Sequence, residues 1–163
     1  MALIKSISGI RGIIGGTQGT HLTPQDIVEC TAAFGTWVLL QHKSKKPKVV
    51  IGRDARISGA MVSQLVSQTL IGLGIDVVDL GLSTTPTVEV AVTEEKAQAG
   101  IIITASHNPK DWNALKLLNE KGEFISAKDG EDVLALIQKG NIQYAGVDQL
   151  GKYKQDNTYI AEC

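Results

Sequence analysis

Apolar positions along the chain follow two spacings, one helical and one typical of buried strands. From Val62 to Leu73, apolar residues recur every three or four positions, which predicts one buried face of a helix. Thr23 followed by Pro24 is typical of a helix start, because threonine caps a helix and proline suits its first turn. Four helices are predicted. The first spans residues 24–41 after the cap at Thr23, the second spans residues 58–74 between a cap at Ser58 and Gly74, and the third spans residues 86–92. The last helix opens at Asp129 and carries Val133, Leu134 and Ile137 on one side.

Short apolar runs between these helices predict strands at residues 49–51, 75–80 and 100–104. Strands that alternate with helices form a parallel sheet covered on both faces. Residues 115–118 and 124–125, joined through Glu120, Lys121 and Gly122, predict a hairpin added to that sheet. The predicted fold class is α/β: a three-layer α/β/α domain with a mostly parallel mixed sheet.

The tail of the chain differs from the rest in its composition. Residues 146–163 carry little apolar content before Tyr159 and Ile160, which is typical of a linker. We therefore expect one domain over residues 1–145, followed by a linker and the start of a second domain that this chain does not contain.

Charge and composition narrow the classes of partner. The chain has 163 residues, and 16 Lys and Arg against 17 Asp and Glu leave a net charge of −1. Such a balance gives no overall basic field, so nucleic acid is not the expected partner. The one dense basic run, KSKKPK at residues 43–48, is predicted to be a solvated loop.

The number of cysteines and the length of the apolar runs indicate the cellular compartment in which the protein is expected. Two cysteines, Cys30 and Cys163, cannot form a disulfide framework or a zinc cluster, which favours a reducing setting. Polar residues interrupt the N-terminal apolar positions, and no apolar run approaches the ~20 residues of a membrane span. A cytoplasmic protein without a membrane partner is expected.

Two polar loops follow predicted strands, at the sheet edge where open α/β sheets bind ligands. Residues 52–58, GRDARIS, present two guanidinium groups and a helix start, which suits an anion; equally, Asp54 would pair with an arginine to stiffen the loop. Residues 104–109, TASHNP, place polar side chains directly after an apolar strand. In that loop Ser106 would be a nucleophile, a phosphate carrier or a turn former.

Two familiar site types are disfavoured. Ser106 and His107 are adjacent and point in different directions, and the residues around Ser106 do not form the Gly-x-Ser-x-Gly elbow of serine hydrolases. Gly9, Gly12 and Gly15 are spaced G-x-x-G-x-x-G rather than G-x-G-x-x-G, so a dinucleotide site is not predicted either.

Four motifs in order resemble those of the α-D-phosphohexomutases, the family of phosphoglucomutases, phosphomannomutases and phosphoglucosamine mutases. TASHNP at residues 104–109 is similar to the family's phosphoserine loop, SGIRG at residues 8–12 to its N-terminal motif, and IGRDAR at residues 51–56 to its GRDxR loop. DWNALK at residues 111–116 resembles the segment after the serine, with Ala114 where glycine is common. The resemblance covers residues 4–163 and only the first of four family domains.

The resemblance implies an isomerase in which Ser106 carries a phosphoryl group between two hydroxyls of a hexose phosphate, through a hexose bisphosphate. Arg11 and Lys116 match family positions near that phosphate and would neutralise its charge. Mg²⁺ would bind a phosphate oxygen on Ser106, its other ligands coming from the remaining domains of the same protein. This chain alone would then be inactive, and the loop that selects glucose, mannose or glucosamine lies outside it.

The neighbouring residues receive weaker assignments. His107 would hydrogen-bond the phosphate, assist proton transfer or only orient the loop. Arg53, Asp54 and Arg56 are expected to be mainly loop scaffolding, and Asn108 and Asn113 structural hydrogen-bonding residues. The alternative function is a non-catalytic module that binds phosphosugars or other anions with the same loops.

Overall fold

The computed structural model describes residues 3–6, 9–43, 46–105 and 107–156. In chain order its elements are β1 (Leu3–Ser6), β2 (Gly9–Ile13), α1 (Pro24–Gln41), β3 (Lys48–Arg53), α2 (Gly59–Gly72), β4 (Asp76–Leu82), α3 (Thr85–Glu94), β5 (Ala99–Ile103), β6 (Trp112–Leu118), α4 (Ala127–Lys139), a 3₁₀ turn (Val147–Gln149) and β7 (Tyr153–Gln155).

One mixed sheet contains all seven described strands, in the order β1-β2-β6-β5-β3-β4-β7. Strand β3 pairs parallel with β4 and β5, and β4 pairs parallel with β7. The pairs β1·β2, β2·β6 and β5·β6 are antiparallel. The predicted α/β class and mixed sheet are confirmed, with an antiparallel half that is larger than one added hairpin.

Alternate residues of each strand face different layers, as the two-residue period of a strand requires. Val49 and Ile51 pack into the core cluster formed with α1, α2 and α4. Val50 and Ile102 point the other way and pack with Val88 and Val92 of α3. Three helices therefore cover one face of the sheet, and α3 covers the central strands on the other.

Three helices start within one residue of the prediction, α4 starts two residues earlier than predicted, and two of the caps differ. At α1 the Thr23 hydroxyl accepts from the Asp26 amide while the Asp26 carboxylate accepts from the Thr23 amide, a capping box. Ser58 precedes α2 as predicted, but its side chain makes no cap hydrogen bond. Helix α4 is capped by Ser126, which accepts from the Asp129 amide, so Asp129 lies inside the first turn rather than opening the helix.

Three segments depart from the sequence-based expectation. Residues 3–6 and 9–13 form β1 and β2, which were not predicted. The predicted hairpin is wrong in its second strand: Phe124 makes a single bridge to Leu118 and no strand forms there. The predicted linker contributes β7 to the sheet, where the Tyr153 hydroxyl donates to Asp79 Oδ2 at 2.6 Å.

The basic run is only partly a solvated loop. Lys48 is the first residue of β3, and Lys46 Nζ donates to the Leu150 carbonyl at 2.9 Å. Residues 44 and 45 lie outside the described residues. None of the described helices combines the length and apolar character that a membrane span requires.

Candidate active site at the phosphoserine-like loop

Arg11 and Lys116 lie on neighbouring strands and on the same face of the sheet. Gly9 pairs with Lys116 and Arg11 pairs with Ala114, so the two cationic residues are diagonal neighbours across β2 and β6. Diagonal neighbours of this kind have Cα atoms about 7–8 Å apart. Between them in register, Ile10 and Leu115 are buried in the core cluster on the opposite face. The structure therefore brings these two predicted site residues together.

This face forms a groove with a volume of about 330 Å³. Its lining consists of Ser6, Gly9, Ile10, Arg11, Ala114, Leu115, Lys116 and Phe124. Helix α3 packs farther along the same face, on Ile102 and Leu118, and leaves this part of β2 and β6 uncovered. The groove is thus bordered by two cationic residues and the half-exposed ring of Phe124.

Close strand contact at the groove depends on Gly9. A Cβ atom at this position would lie 1.8 Å from the Leu115 carbonyl oxygen, and the backbone φ is +147°. Only glycine fits such a contact without moving β2 away from β6. Gly9, the first of the two glycines in the SGIRG motif, therefore allows β2, which carries Arg11, to lie close to β6, which carries Lys116.

The loop after β5 carries the remaining predicted residues. Ser106 lies outside the described residues. Thr104 is buried at the end of β5, and His107 is exposed on the segment that follows. The Asn108 amide donates to the Ala105 carbonyl at 3.0 Å.

Asp54 and Arg56 join this loop to the loop after β3. Asp54 Oδ2 accepts from the Thr104 hydroxyl at 2.6 Å, and Asp54 Oδ1 accepts from the Arg56 amide at 3.2 Å. The Arg56 guanidinium donates to the carbonyls of Pro109 at 2.6 Å, Asn108 at 2.8 Å and Trp112 at 3.1 Å. We call these residues and carbonyls the Asp54–Arg56 network.

Asn113 and Arg53 extend the scaffold. The fully buried Asn113 donates from Nδ2 to the Ser58 hydroxyl at 2.8 Å and accepts from the Ala114 amide at 2.9 Å. It thereby connects the start of β6 to the start of α2. Arg53 donates to the Asp54 carbonyl at 3.2 Å. These contacts agree with the predicted scaffolding roles of both residues.

Thr104 and Ser6 were not singled out by the sequence. Thr104 is the first residue of the TASHNP motif, so its place in the loop could be predicted from the sequence. Its hydrogen bond to Asp54, 50 residues earlier, could not. Ser6 lines the groove because β1 pairs with β2, a pairing that the predicted elements lacked.

The described part of the chain contains no group of three or more His, Cys, Asp or Glu side chains that could hold a metal ion.

The described residues form a three-layer α/β domain with a groove bordered by Arg11 and Lys116 and a polar loop held by the Asp54–Arg56 network. The model of "Phosphoglucomutase/phosphomannomutase, alpha/beta/alpha domain I" matches residues 3–143, and the chain belongs to this family.

Relatives and solved structures agree with this assignment. The chain is 32% identical over 149 residues to a phosphoglucomutase/phosphomannomutase of Thermococcus kodakarensis, covering 91% of this chain and 32% of that protein. It is 40% identical over 131 residues to a phosphoglucosamine mutase of Ligilactobacillus salivarius, covering 80% and 28%. A phosphoglucomutase/phosphomannomutase family protein from Burkholderia thailandensis superimposes with a TM-score of 0.75 at 25% identity, covering 93% and 32%. The chain spans about a third of the length of these proteins.

Proposed function

We propose that this chain is the phosphoryl-carrying domain of a hexose-phosphate mutase, with Ser106 as the phosphate carrier. The observation that carries the proposal is the pairing of Arg11 and Lys116 on one open face of β2 and β6. Family membership supports a mutase role. The names of the relatives cover glucose, mannose and glucosamine phosphates, so the proposed substrate class is hexose phosphates.

The proposed reaction is two phosphoryl transfers of opposite direction. First the bond between phosphorus and the Ser106 oxygen breaks and a bond forms from phosphorus to a hydroxyl of the hexose phosphate. That hydroxyl loses its proton to a base, and the released Ser106 oxygen takes up a proton. The product is a hexose bisphosphate. The Ser106 hydroxyl then loses its proton as its oxygen bonds to the other phosphoryl group, the bond from that phosphorus to the sugar oxygen breaks, the sugar oxygen takes up a proton, and the isomeric hexose phosphate leaves.

Charge stabilisation is the main contribution of the chain's own residues to these steps. A phosphoserine carries about −1.5 to −2 charges near neutral pH, and the transferring oxygens carry that charge through the transition state. Arg11 and Lys116 are proposed to hold those oxygens. His107 is proposed to act beside them, as a hydrogen-bond donor to the phosphate or in proton transfer. Mg²⁺ is proposed as a cofactor of the whole protein, with ligands contributed mainly from outside this chain.

Labelling tests the proposal. A mutase of family length that contains this domain is incubated with glucose 1,6-bisphosphate radiolabelled in its phosphates, then precipitated in acid. A phosphoserine ester survives acid whereas the phosphoramidate of histidine does not. We expect acid-stable label in the wild type and in His107→Ala, and none in Ser106→Ala.

Two results would contradict this assignment. Acid-labile label that persists in Ser106→Ala and disappears in His107→Ala would make His107 the carrier. A wild-type protein that binds hexose phosphates without acquiring label would favour the alternative, a non-catalytic phosphosugar-binding module. Intact-mass measurement of the purified chain provides a second check, because a stable phosphoserine adds one phosphate to the mass.

A further inference from the structure

We propose that Arg56 is a positioning residue for phosphoryl transfer. Oriented by Asp54, its guanidinium holds the carbonyls of residues 108, 109 and 112 and so fixes the loop in which Ser106 stands. The inference rests on the proposed function, and it assigns Arg56 a part in turnover that does not involve contact with the substrate.

The Arg56 guanidinium donates its hydrogen bonds to acceptors within the protein rather than facing a ligand site. Its Nη1 donates to the carbonyls of Pro109 and Trp112, Nη2 to that of Asn108, and Nε lies 3.4 Å from Asp54 Oδ2. At least four of the five N–H groups of the guanidinium therefore have protein acceptors. Only 12% of the side chain is exposed, whereas Arg11 is an exposed residue.

Asp54 binds both the Arg56 side chain and Thr104, the residue at the start of the TASHNP loop. Its carboxylate accepts from the Thr104 hydroxyl at the end of β5 and from the amide and Nε of Arg56. Thr104 precedes Ser106 by two residues, and the first carbonyl held by Arg56 follows Ser106 by two residues. The Asp54–Arg56 network therefore holds the chain on both sides of the proposed phosphate carrier.

The guanidinium adds to the backbone hydrogen bonds within the described part of the loop, which run from the Asn108 amide to the Ala105 carbonyl and from the Trp112 amide to the Pro109 carbonyl. Pro109 has no amide hydrogen to donate, and three carbonyls within five residues point to the same side chain. A planar guanidinium can donate to several acceptors in fixed directions, whereas a lysine ammonium is a single point on a flexible stem. This geometry predicts that lysine will not replace Arg56, although it keeps the charge.

Two variants test the inference, with a matched control on the same loop. Arg56→Lys retains the charge and loses the planar fork, and Thr104→Val removes the hydroxyl that donates to Asp54 while nearly preserving shape. Lys110→Met removes a cation from an exposed position of the same loop and leaves the network intact. If Arg56→Lys does not fold, Thr104→Val still tests the network from its other end.

The first measurement is hydrogen exchange of the 163-residue chain, which does not depend on activity. We expect Arg56→Lys and Thr104→Val to speed exchange in the peptide covering residues 104–112 and to leave peptides of α1 and β4 unchanged. Lys110→Met should exchange like the wild type. Unchanged exchange of residues 104–112 in both variants would overturn the inference, whatever the function of the protein.

The second measurement is steady-state kinetics of the mutase of family length. We expect kcat to fall by about tenfold to a hundredfold in Arg56→Lys, with KM for the hexose phosphate within about twofold, because displacement of a reacting group by 1 Å costs that much. Full kcat in Arg56→Lys, or a rise in KM alone, would overturn the inference. Absence of turnover and of serine label in the wild type would instead contradict the proposed function, so the two failures are distinguishable.

Discussion

Three arginines near the candidate site show how surroundings decide what one residue type does. Arg11 is exposed beside an open groove, Arg53 donates to a neighbouring carbonyl, and Arg56 is enclosed by acceptors from another loop. Residue type alone did not distinguish the three, whereas the family resemblance placed Arg11 near the phosphate and Arg53 and Arg56 in the loop scaffold. The pairing of β2 with β6 leaves Arg11 exposed beside the groove, on the same face of the sheet as Lys116.

Removal of either groove cation should slow turnover more than it weakens substrate binding. In the mutase of family length, Arg11→Ala and Lys116→Ala are each expected to lower kcat by about a hundredfold, because losing one preorganised charge contact costs about 3 kcal/mol. KM should change less than kcat. Steady-state kinetics measure both, with Lys110→Met as a control outside the groove. A kcat within about twofold of the wild type and a raised KM would assign the residue to ground-state binding.

Cys30 should be unreactive in the folded chain. Burial within α1 raises the pKa of its thiol to about 12, although the charge of Lys5 lowers it in part. The thiolate, which is the reactive form, is then scarce at pH 8. In a Cys163→Ser variant, which leaves one thiol, a chromogenic disulfide reagent should react fully in denaturant and very slowly without it. Fast stoichiometric reaction in the native state would contradict this burial.

The sign of the pH effect follows from the same raised pKa. An unfolded thiol ionises near its ordinary value of 9.0, whereas the folded one stays protonated to about 12. The contribution of Cys30 to stability is therefore complete below about pH 9 and is lost as pH rises toward 12.

At the scale of elements, local signals predicted helices well and edge strands poorly. Helix α1 begins and ends as predicted, because Thr23, Pro24 and Asp26 determine its start within four residues. Strands β1 and β2 carry serine, glycine and arginine among their apolar residues, and their pairing depends on β6, a hundred residues away. Strand β7 is short, polar and exposed, so nothing in its sequence marks it as part of the sheet.

In the candidate site, too, local features could be predicted from the sequence and long-range contacts could not. Residue types and loop positions were predictable, because polar residues after buried strands are costly unless they are exposed or hydrogen-bonded. The partners were not predictable. The contact between Thr104 and Asp54 joins two loops that are 50 residues apart, and only the parallel pairing of β3 with β5 brings them together.

Gly9 should be indispensable for the pairing of β2 with β6. In Gly9→Ala the new methyl group would collide with the Leu115 carbonyl, and the positive φ adds about 1–2 kcal/mol of strain. Gly15→Ala is the matched control, because Gly15 also has a positive φ but has open space around it. We expect the melting temperature to fall by roughly 10 °C in Gly9→Ala and by a few degrees in Gly15→Ala, at about 2–4 °C per kcal/mol. Equal shifts would show that strand contact contributes nothing beyond strain.

At the scale of the molecule, helices cover the two faces of the sheet to different extents. Helices α1, α2 and α4 cover one face with most of the apolar core, and α3 covers only the central strands of the other. The uncovered part of that second face is where Arg11 and Lys116 lie. The fold therefore completes its core without the groove and leaves the groove free for a ligand.

The chain by itself should fold and yet not turn over hexose phosphates. Its core has helices on both faces of the sheet, which predicts a cooperative unfolding transition. It spans about a third of the length of its relatives, and its described residues form no metal-ion cluster, so a complete mutase site is not expected.

Circular dichroism of the 163-residue chain should show a helical and sheet spectrum that melts in one step. Coupled assays on glucose 1-phosphate and mannose 1-phosphate with Mg²⁺ should stay at background, with the mutase of family length as positive control. Robust magnesium-dependent isomerisation by the 163-residue chain would show that one domain of this family suffices for catalysis.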